Sequence, residues 1–311
     1  MTTITITSGP ANAYTDPKTG LRFYEWKGQR LPSVTSIRRI AGIPHGLHNW
    51  TVARVVERAT LDVETLTSML TRERRPRERT LESNRIAEAG KWLRAAATEE
   101  RDSAASLGTA VHDAAAAGLR PEDIPEVVTF VKDGKPVEVA GEDIRPRLHW
   151  YRDWLMVSGA EVVLAEVQVW NLAIGYAGSL DLVCRFPNGQ TWLVDIKTGS
   201  GLYAEHLLQV MAYARAEFVG RDDVVDEDAT AILEQVSGVA ILHIGEEGWA
   251  FHALDATTEA WRAFTGLLDF ATWMARHPDA ASITRGTRRS GDRDVTEARI
   301  AKGFDELRSA A

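Results

Sequence analysis

The chain has 311 residues, 44% hydrophobic and 26% charged, with 24 Gly and 11 Pro, a composition that supports a substantial core and excludes a fibrous or largely disordered protein. Its 44 acidic against 36 basic residues give a net charge of -8, so any polyanion site must be a local patch. The single Cys184 excludes an intramolecular disulfide, a four-thiolate zinc site and a cysteine-ligated iron–sulfur cluster, and it points to a reducing compartment. The first twenty residues have no basic start followed by an apolar stretch, and no apolar run approaches the length of a membrane span. A cytoplasmic protein without a membrane partner is therefore expected. GxxxxGK[ST], GxGxxG, HExxH and GxSxG are all absent, so any chemistry must come from other residues.

In chain order, Leu21-Arg22-Phe23-Tyr24-Glu25-Trp26, Gly28 and then Leu31-Pro32-Ser33-Val34-Thr35-Ser36-Ile37 predict a hairpin leading into a helix. From Leu47 to about Arg120 the pattern is helical and Ala-rich, interrupted by Arg72-Glu73-Arg74-Arg75-Pro76-Arg77-Glu78-Arg79. That run of five arginines and two glutamates reads either as a solvated loop between helices or as a phosphate-contacting edge. Between Glu161 and Thr198 the period becomes strand-like. Val162 to Trp170, Tyr176 to Phe186 and Thr191 to Lys197 read as three successive antiparallel strands, joined through Asn171 to Gly175 and through Pro187-Asn188-Gly189. A helix is expected from about Tyr203 to Phe218, with Leu207, Met211, Ala214 and Phe218 as its apolar stripe. Strands at Gly238 to Ile244 and Trp249 to Leu254 flank the turn Gly245-Glu246-Glu247-Gly248, and a last helix runs from about Thr257 to Arg276. The polar, Arg-containing tail beyond His277 is expected to be poorly ordered.

Chemistry concentrates in the strands. In Trp192-Leu193-Val194-Asp195-Ile196-Lys197 the alternation of side chains puts Asp195 and Lys197 on one face and sends Val194 and Ile196 into the core. Asp181 interrupts the apolar Leu180-Asp181-Leu182-Val183-Cys184, and a carboxylate there is costly unless paired or metal-bound. Asp181 and Asp195 each lie seven residues from Asn188, so a hairpin turning there sets them side by side. Glu166, on the preceding strand, can add a third carboxylate. Such oxygen-rich clusters suit Mg²⁺ or Mn²⁺, with a lysine to steady charge on phosphorus. A lone Asp-x-Lys is more commonly a buried ion pair in a sheet. Gln209 and Tyr213, at i and i+4 on a face distinct from the expected stripe, could overlook the same cleft.

Three segments together, Gly175-Tyr176-Ala177-Gly178-Ser179-Leu180-Asp181, Val194-Asp195-Ile196-Lys197-Thr198-Gly199 and Gln209-Val210-Met211-Ala212-Tyr213, resemble the PD-(D/E)XK nuclease superfamily, and within it the RecB-like branch that includes phage exonucleases. Gly108-Thr109-Ala110-Val111-His112 resembles that branch's histidine-bearing helix, although a histidine in an Ala-rich helix is more often structural. Leu31 to Thr35 is similar to the N-terminal region of phage members. The resemblance implies an α/β fold, a mixed central sheet flanked by helices with a restriction-endonuclease-like core and an N-terminal helical region. It implies one nuclease domain over 1–280, with a mainly helical part at 1–120, a catalytic core at 161–276 and a flexible tail at 281–311. The implied metal ligands are His112, Asp181, Asp195 and the Ile196 carbonyl, with Lys197 positioning or activating water. Glu166 would be a ligand or a supporting carboxylate, and Gln209 and Tyr213 would contact the substrate strand or orient Lys197. The expected activity is a Mg²⁺- or Mn²⁺-dependent deoxyribonuclease, most readily an exonuclease, without an iron–sulfur cluster. DNA is the expected partner, together with a recombinase, helicase or single-strand-binding protein in a bacterial or phage-infected cell. The alternatives are a catalytically silent DNA- or partner-binding module and a metal-dependent hydrolase of another phosphate ester. The basic channel that DNA requires would draw on Arg72 to Arg79 and on Arg285, Arg288 and Arg289.

Overall fold

The computed structural model describes residues 5–6, 13–41, 45–71, 80–132, 135–199 and 201–277. The Arg72 to Arg79 run, Arg285, Arg288, Arg289 and the expected 281–311 tail lie outside the described residues.

Short strands β1 (Thr5–Ile6) and β2 (Ala13–Thr15) precede a hairpin of β3 (Arg22–Trp26) and β4 (Gln29–Pro32). At its tip Lys27 and Gly28 have φ of 46° and 80°, two successive left-handed residues as a type I′ turn requires. Helix α1 (Val34–Arg39) follows at once, capped by the Ser33 side chain accepting from the Ser36 N–H, with Val34 and Ile37 buried. The expected hairpin into helix is present. The Ala-rich stretch forms α2 (His45–Leu61), α3 (Val63–Thr71) and the long α4 (Thr80–Ala116).

Residues 121–160, given no elements by the sequence pattern, contain a single 3-10 turn at Pro121–Asp123, the hairpin of β5 (Val127–Lys132) and β6 (Lys135–Ala140), and α5 (Gly141–Ser158). Strand β1 adds to β5 in parallel, completing a three-stranded sheet. Asp133-Gly134 between alternating apolar residues was the sequence signal for this hairpin.

The remaining chain builds a seven-stranded mixed sheet. Strands β7 (Glu161–Asn171), β8 (Tyr176–Arg185) and β9 (Thr191–Lys197) form the expected antiparallel meander. After them come α6 (Ala204–Ala214), β10 (Phe218–Arg221), β11 (Val224–Asp226), α7 (Glu227–Leu233), β12 (Val236–Ile244), β13 (Trp249–Leu254) and α8 (Thr258–Arg276). The strand order is β11-β10-β7-β8-β9-β12-β13, antiparallel throughout except where β12 lies parallel to β9.

The helix after β9 is shorter than its apolar spacing predicts. It ends at Ala214, and Phe218 begins β10 by pairing with Trp170. Two bonds hold the chain there: the Glu217 N–H donates to the Trp170 carbonyl (2.7 Å) and Asn171 Nδ2 to the Arg215 carbonyl (2.8 Å). Tertiary capture by the edge of β7 thus overrides the helical pattern. The buried residues of α6 are His206, Gln209, Val210, Met211, Ala212 and Tyr213. Gln209 and Tyr213 are therefore buried with the apolar residues, not on a separate polar face.

Helices cover both faces of the sheet. On one, Val34 and Ile37 of α1, Val210 and Tyr213 of α6 and Phe264 and Leu268 of α8 pack against Leu180, Val183 and Leu193. On the other, Val111 and Ala114 of α4 and Ile144, Leu148 and Trp154 of α5 pack against Leu182, Cys184, Val194 and Ile196. Among the described residues no helix is long and apolar enough to cross a membrane.

Candidate functional site

Two strands lose their regular alternation at the same level of the sheet. Along β8, Tyr176 and Leu180 face the α6 side whereas Leu182 and Cys184 face α4 and α5, so the phase changes at Asp181. Along β7, Ala165 faces the α4 side and Val167 and Val169 the α6 side, so the phase changes at Glu166. Glu166 has φ 50°, a left-handed conformation costly for a residue with a Cβ. The ladder pairs Ala165 with Leu182 and Val167 with Leu180, which leaves Glu166 opposite Asp181. The kink turns both carboxylates toward one spot.

His112 reaches that spot from α4. Four residues earlier, on the same helical face, Gly108 allows the helix close to the end of β9: a Cβ there would stand 3.1 Å from the Thr198 hydroxyl oxygen. The His112 Nδ1 atom lies 3.5 Å from Asp181 Oδ2 and 3.6 Å from Glu166 Oε1. One potential ligand atom from each of the three falls within 4.8 Å of the others.

The hairpin register expected from Asn188 is observed: Leu182 pairs with Val194, and the next step of that register aligns Asp181 with Asp195. Asp181 Oδ2 accepts the Ile196 N–H at 2.7 Å. Asp195 is fully buried and ion-paired with Lys197 Nζ, which also donates to the Ile196 carbonyl (3.3 Å). Asp195 Oδ1 has no hydrogen-bond partner among the described residues. The residues brought tightly together are thus His112, Glu166 and Asp181, with Asp195, Ile196 and Lys197 as a second group on the adjoining strand. Glu166 belongs to the first group.

Above them, Gln209 Nε2 donates to the Tyr213 hydroxyl (3.1 Å), and Gln209 Oε1 is buried without a partner among the described residues. Tyr213 lies against β8 because position 178 is glycine: a Cβ there would be 2.4 Å from the tyrosine ring. Two histidines not anticipated from the sequence flank this region. His243 stands beside Lys197 in the parallel β9/β12 register, with Nε2 2.6 Å from the Gly199 carbonyl. His206 Nδ1 accepts the Tyr203 N–H (3.2 Å). His243 has no local sequence signature, because a parallel pairing across α6, β10, β11 and α7 brings β12 to β9.

The electrostatics are those of a site that holds positive charge. Burial opposes a charged His112, but Asp181 and Glu166 outweigh it and hold the imidazole well above its ordinary pKa. Burial raises Glu166, against the pull of His112. It also works to raise Asp181, yet His112, Lys197 and the Ile196 amide keep that carboxyl below its usual value. Asp195 is pushed up to about 6 by burial, which Lys197 offsets only in part. Burial raises Tyr213 strongly, with Tyr24 and the Asp195 and Asp181 carboxylates adding to it. Two carboxylates, an imidazole and a further buried carboxylate oxygen without a partner suit a hard divalent cation, and imidazole suits Mn²⁺ better than Mg²⁺.

No protein-family model matches this chain, and no curated protein does. A solved structure titled "Crystal structure of SSO0001" matches 41% of this chain at 17% identity with a TM-score of 0.26, and this chain spans 57% of that one. A likeness of that size establishes neither fold nor chemistry.

Proposed function

We propose that this protein is a metal-dependent DNA nuclease with a restriction-endonuclease-like core. The observation that carries this reading is the meeting of His112, Glu166 and Asp181 beside the buried Asp195–Lys197 pair at a kink in the sheet. Asp181, Glu166 and His112 would hold Mg²⁺ or Mn²⁺, with Asp195 and the Ile196 carbonyl adjoining, and such an ion supplies Lewis acidity and a low-pKa water. The protein's own groups account for the rest. Lys197 is held in place by its ion pair with Asp195, where it would neutralise charge that develops on a phosphoryl oxygen. The Ile196 N–H fixes the orientation of Asp181. Gln209 has an unpaired carbonyl oxygen to accept from a substrate group or from Lys197, and Tyr213 holds the Gln209 amide in place. Exonuclease action, and help from a recombinase, helicase or single-strand-binding protein, follow from the sequence resemblance.

The test is to incubate end-labelled linear DNA and circular DNA with the protein in Mg²⁺, Mn²⁺ or EDTA, beside a small phosphate ester. Shortening of linear DNA that requires the metal and spares circles supports the proposal. Metal-dependent turnover of the small ester alone would reassign the site to another phosphate ester. Binding of DNA without any cleavage would make the protein a silent module.

A further inference from the structure

Two side-chain amides on β7 are treated in opposite ways. Asn171, at the end of the strand, has both ends satisfied: Nδ2 donates to the Arg215 carbonyl (2.8 Å) and Oδ1 accepts the Ile174 N–H (2.9 Å). Gln168, three residues earlier, is only 5% exposed, and its Nε2 is buried with no acceptor among the described residues. A buried donor left unpaired opposes folding. The exposed glutamines do not share this state: Gln190 Oε1 accepts from Asn188 Nδ2 (2.9 Å), and Gln235 Nε2 donates to the Ala231 carbonyl (3.0 Å). The other orphaned amide atom, Gln209 Oε1, already belongs to the site described above.

Strand register fixes where Gln168 stands. Val167 and Val169 on either side of it pack toward α6, so Gln168 points to the opposite face, the one on which α4 brings His112 to Glu166. On that face β7 and β8 present successive cross-strand rows: Trp170 with Ala177, Gln168 with Ser179, and Glu166 opposite Asp181. The β3–β4 hairpin covers the first row, where Tyr24 and Trp26 meet the Trp170 ring at 5.9 and 4.8 Å and Ser33 bridges to Ala177. His112 of α4 covers the third. The middle row lies between these two covers. There Ser179 is partly exposed, whereas Ala177 and Asp181, its neighbours on the same face of β8, are buried. The Glu166 side chain at the far end is 34% exposed. Gln168 and Ser179 thus floor a polar slot that leads about 7 Å along the strands to the carboxylates.

We infer that Gln168 and Ser179 form an uncharged phosphate subsite, which holds the backbone linkage of the substrate strand next to the one at the carboxylates. The inference rests on the nuclease reading of the adjoining site. An amide and a hydroxyl both donate to phosphate oxygens, and the soft terminal torsion of Gln168 turns either end of its amide to the slot. Neutral donors suit this place better than a lysine or arginine. A fixed positive charge so close to Glu166 and Asp181 would repel the cation those carboxylates are placed to hold.

Gln168→Met keeps the length of the side chain and removes the amide, so two readouts should move in opposite directions. The melting temperature in EDTA should rise by about 2 °C or more, because an unpaired buried donor is gone. Binding of a 3′-labelled single-stranded 15-mer, followed by fluorescence anisotropy in EDTA, should weaken about threefold to tenfold, the contribution of one neutral hydrogen bond. The salt slope should not change, since no charge that releases counterions is lost. Ser179→Ala, at a partly exposed position, keeps the test decisive should the methionine variant fail to fold, with a loss of about threefold expected. Both variants should keep Mn²⁺ affinity within about twofold of wild type, as neither residue is a metal ligand, and should lose equally on all-thymine and all-adenine strands. Unaltered DNA binding in both variants overturns the inference. So does a lower melting temperature in Gln168→Met, which makes the amide a support of the fold, a weakened Mn²⁺ affinity, which makes it part of the metal site, or a loss confined to one base. Metal-dependent cleavage with an unaltered KM in these variants removes the subsite alone, whereas Gln168-dependent binding without any cleavage by wild type removes the nuclease reading alone. Absence of DNA binding by wild type removes both.

Discussion

The two sides of the seven-stranded sheet are built to different rules. Strands β12 and β13 pair over six consecutive positions, from Val239 with Leu254 to Ile244 with Trp249, without a shift, and Ile241 and Leu242 alternate cleanly between the two cores. Strands β7 and β8 shift register between Val162 and Leu164, change side-chain phase at Glu166 and Asp181, and place a glutamate at φ 50°. The regular pair buries apolar surface. The irregular pair gathers ionisable groups, at a cost in strain and desolvation that stability alone would not retain. The consequence is that substitutions in the two places should fail in different ways.

The largest separation is expected in catalysis. Asp195→Asn or Lys197→Ala should reduce DNA cleavage at least about 100-fold, since each removes charge from the group that faces the phosphoryl oxygen. Far-ultraviolet circular dichroism should show both variants folded. Wild-type rates in either would sink the assignment of this pair. On the regular side, Leu242→Ala, at a fully buried position, should cost about 2–5 kcal/mol in denaturant unfolding while the folded fraction keeps its metal affinity. A change in that affinity would mean the two sides are not separable.

Glu166→Gly inverts the pattern. It removes a strained Cβ and a desolvated carboxyl, so in chelator it should gain about 1 kcal/mol of stability while weakening Mn²⁺ binding. A loss of stability would show that Glu166 supports the fold.

How much of this was legible in the sequence differs between the same two regions. The meander from Glu161 to Lys197 could be read because alternation and the Pro187 to Gly189 turn agree, and so could the pairing of Asp181 with Asp195. The kink could not: a left-handed glutamate has no signature, and it is what brings Glu166 into the His112–Asp181 group. Phe218 looked helical because its spacing fits α6, and only the edge of β7 makes it a strand. The β5–β6 hairpin carried a readable Asp133-Gly134 signal, but α5 has Pro146 inside it and weak periodicity.

The smallest effect concerns pH. Burial, with Lys197, Arg38 and His243 adding, pushes His206 down to about 3, and its Nδ1 accepts the Tyr203 N–H in that neutral form. The unfolded chain protonates this histidine near 6.5, before the folded one does. Its contribution to stability is therefore complete above about pH 6.5 and declines as pH falls toward 3. Thermal melts between about pH 7 and 5 should show a shallower decline for His206→Gln than for wild type, and equal slopes would remove His206 from the account.

The irregular pair as a cation site is tested most directly by calorimetric titration of Mn²⁺ into the metal-free protein without DNA, for wild type, His112→Ala and Asp181→Asn. Saturable binding in wild type, weakened at least tenfold in each variant while Leu242→Ala retains it, is the predicted result. No saturable binding in wild type, or the same affinity in all four proteins, would contradict the assignment of His112, Glu166 and Asp181 to a metal.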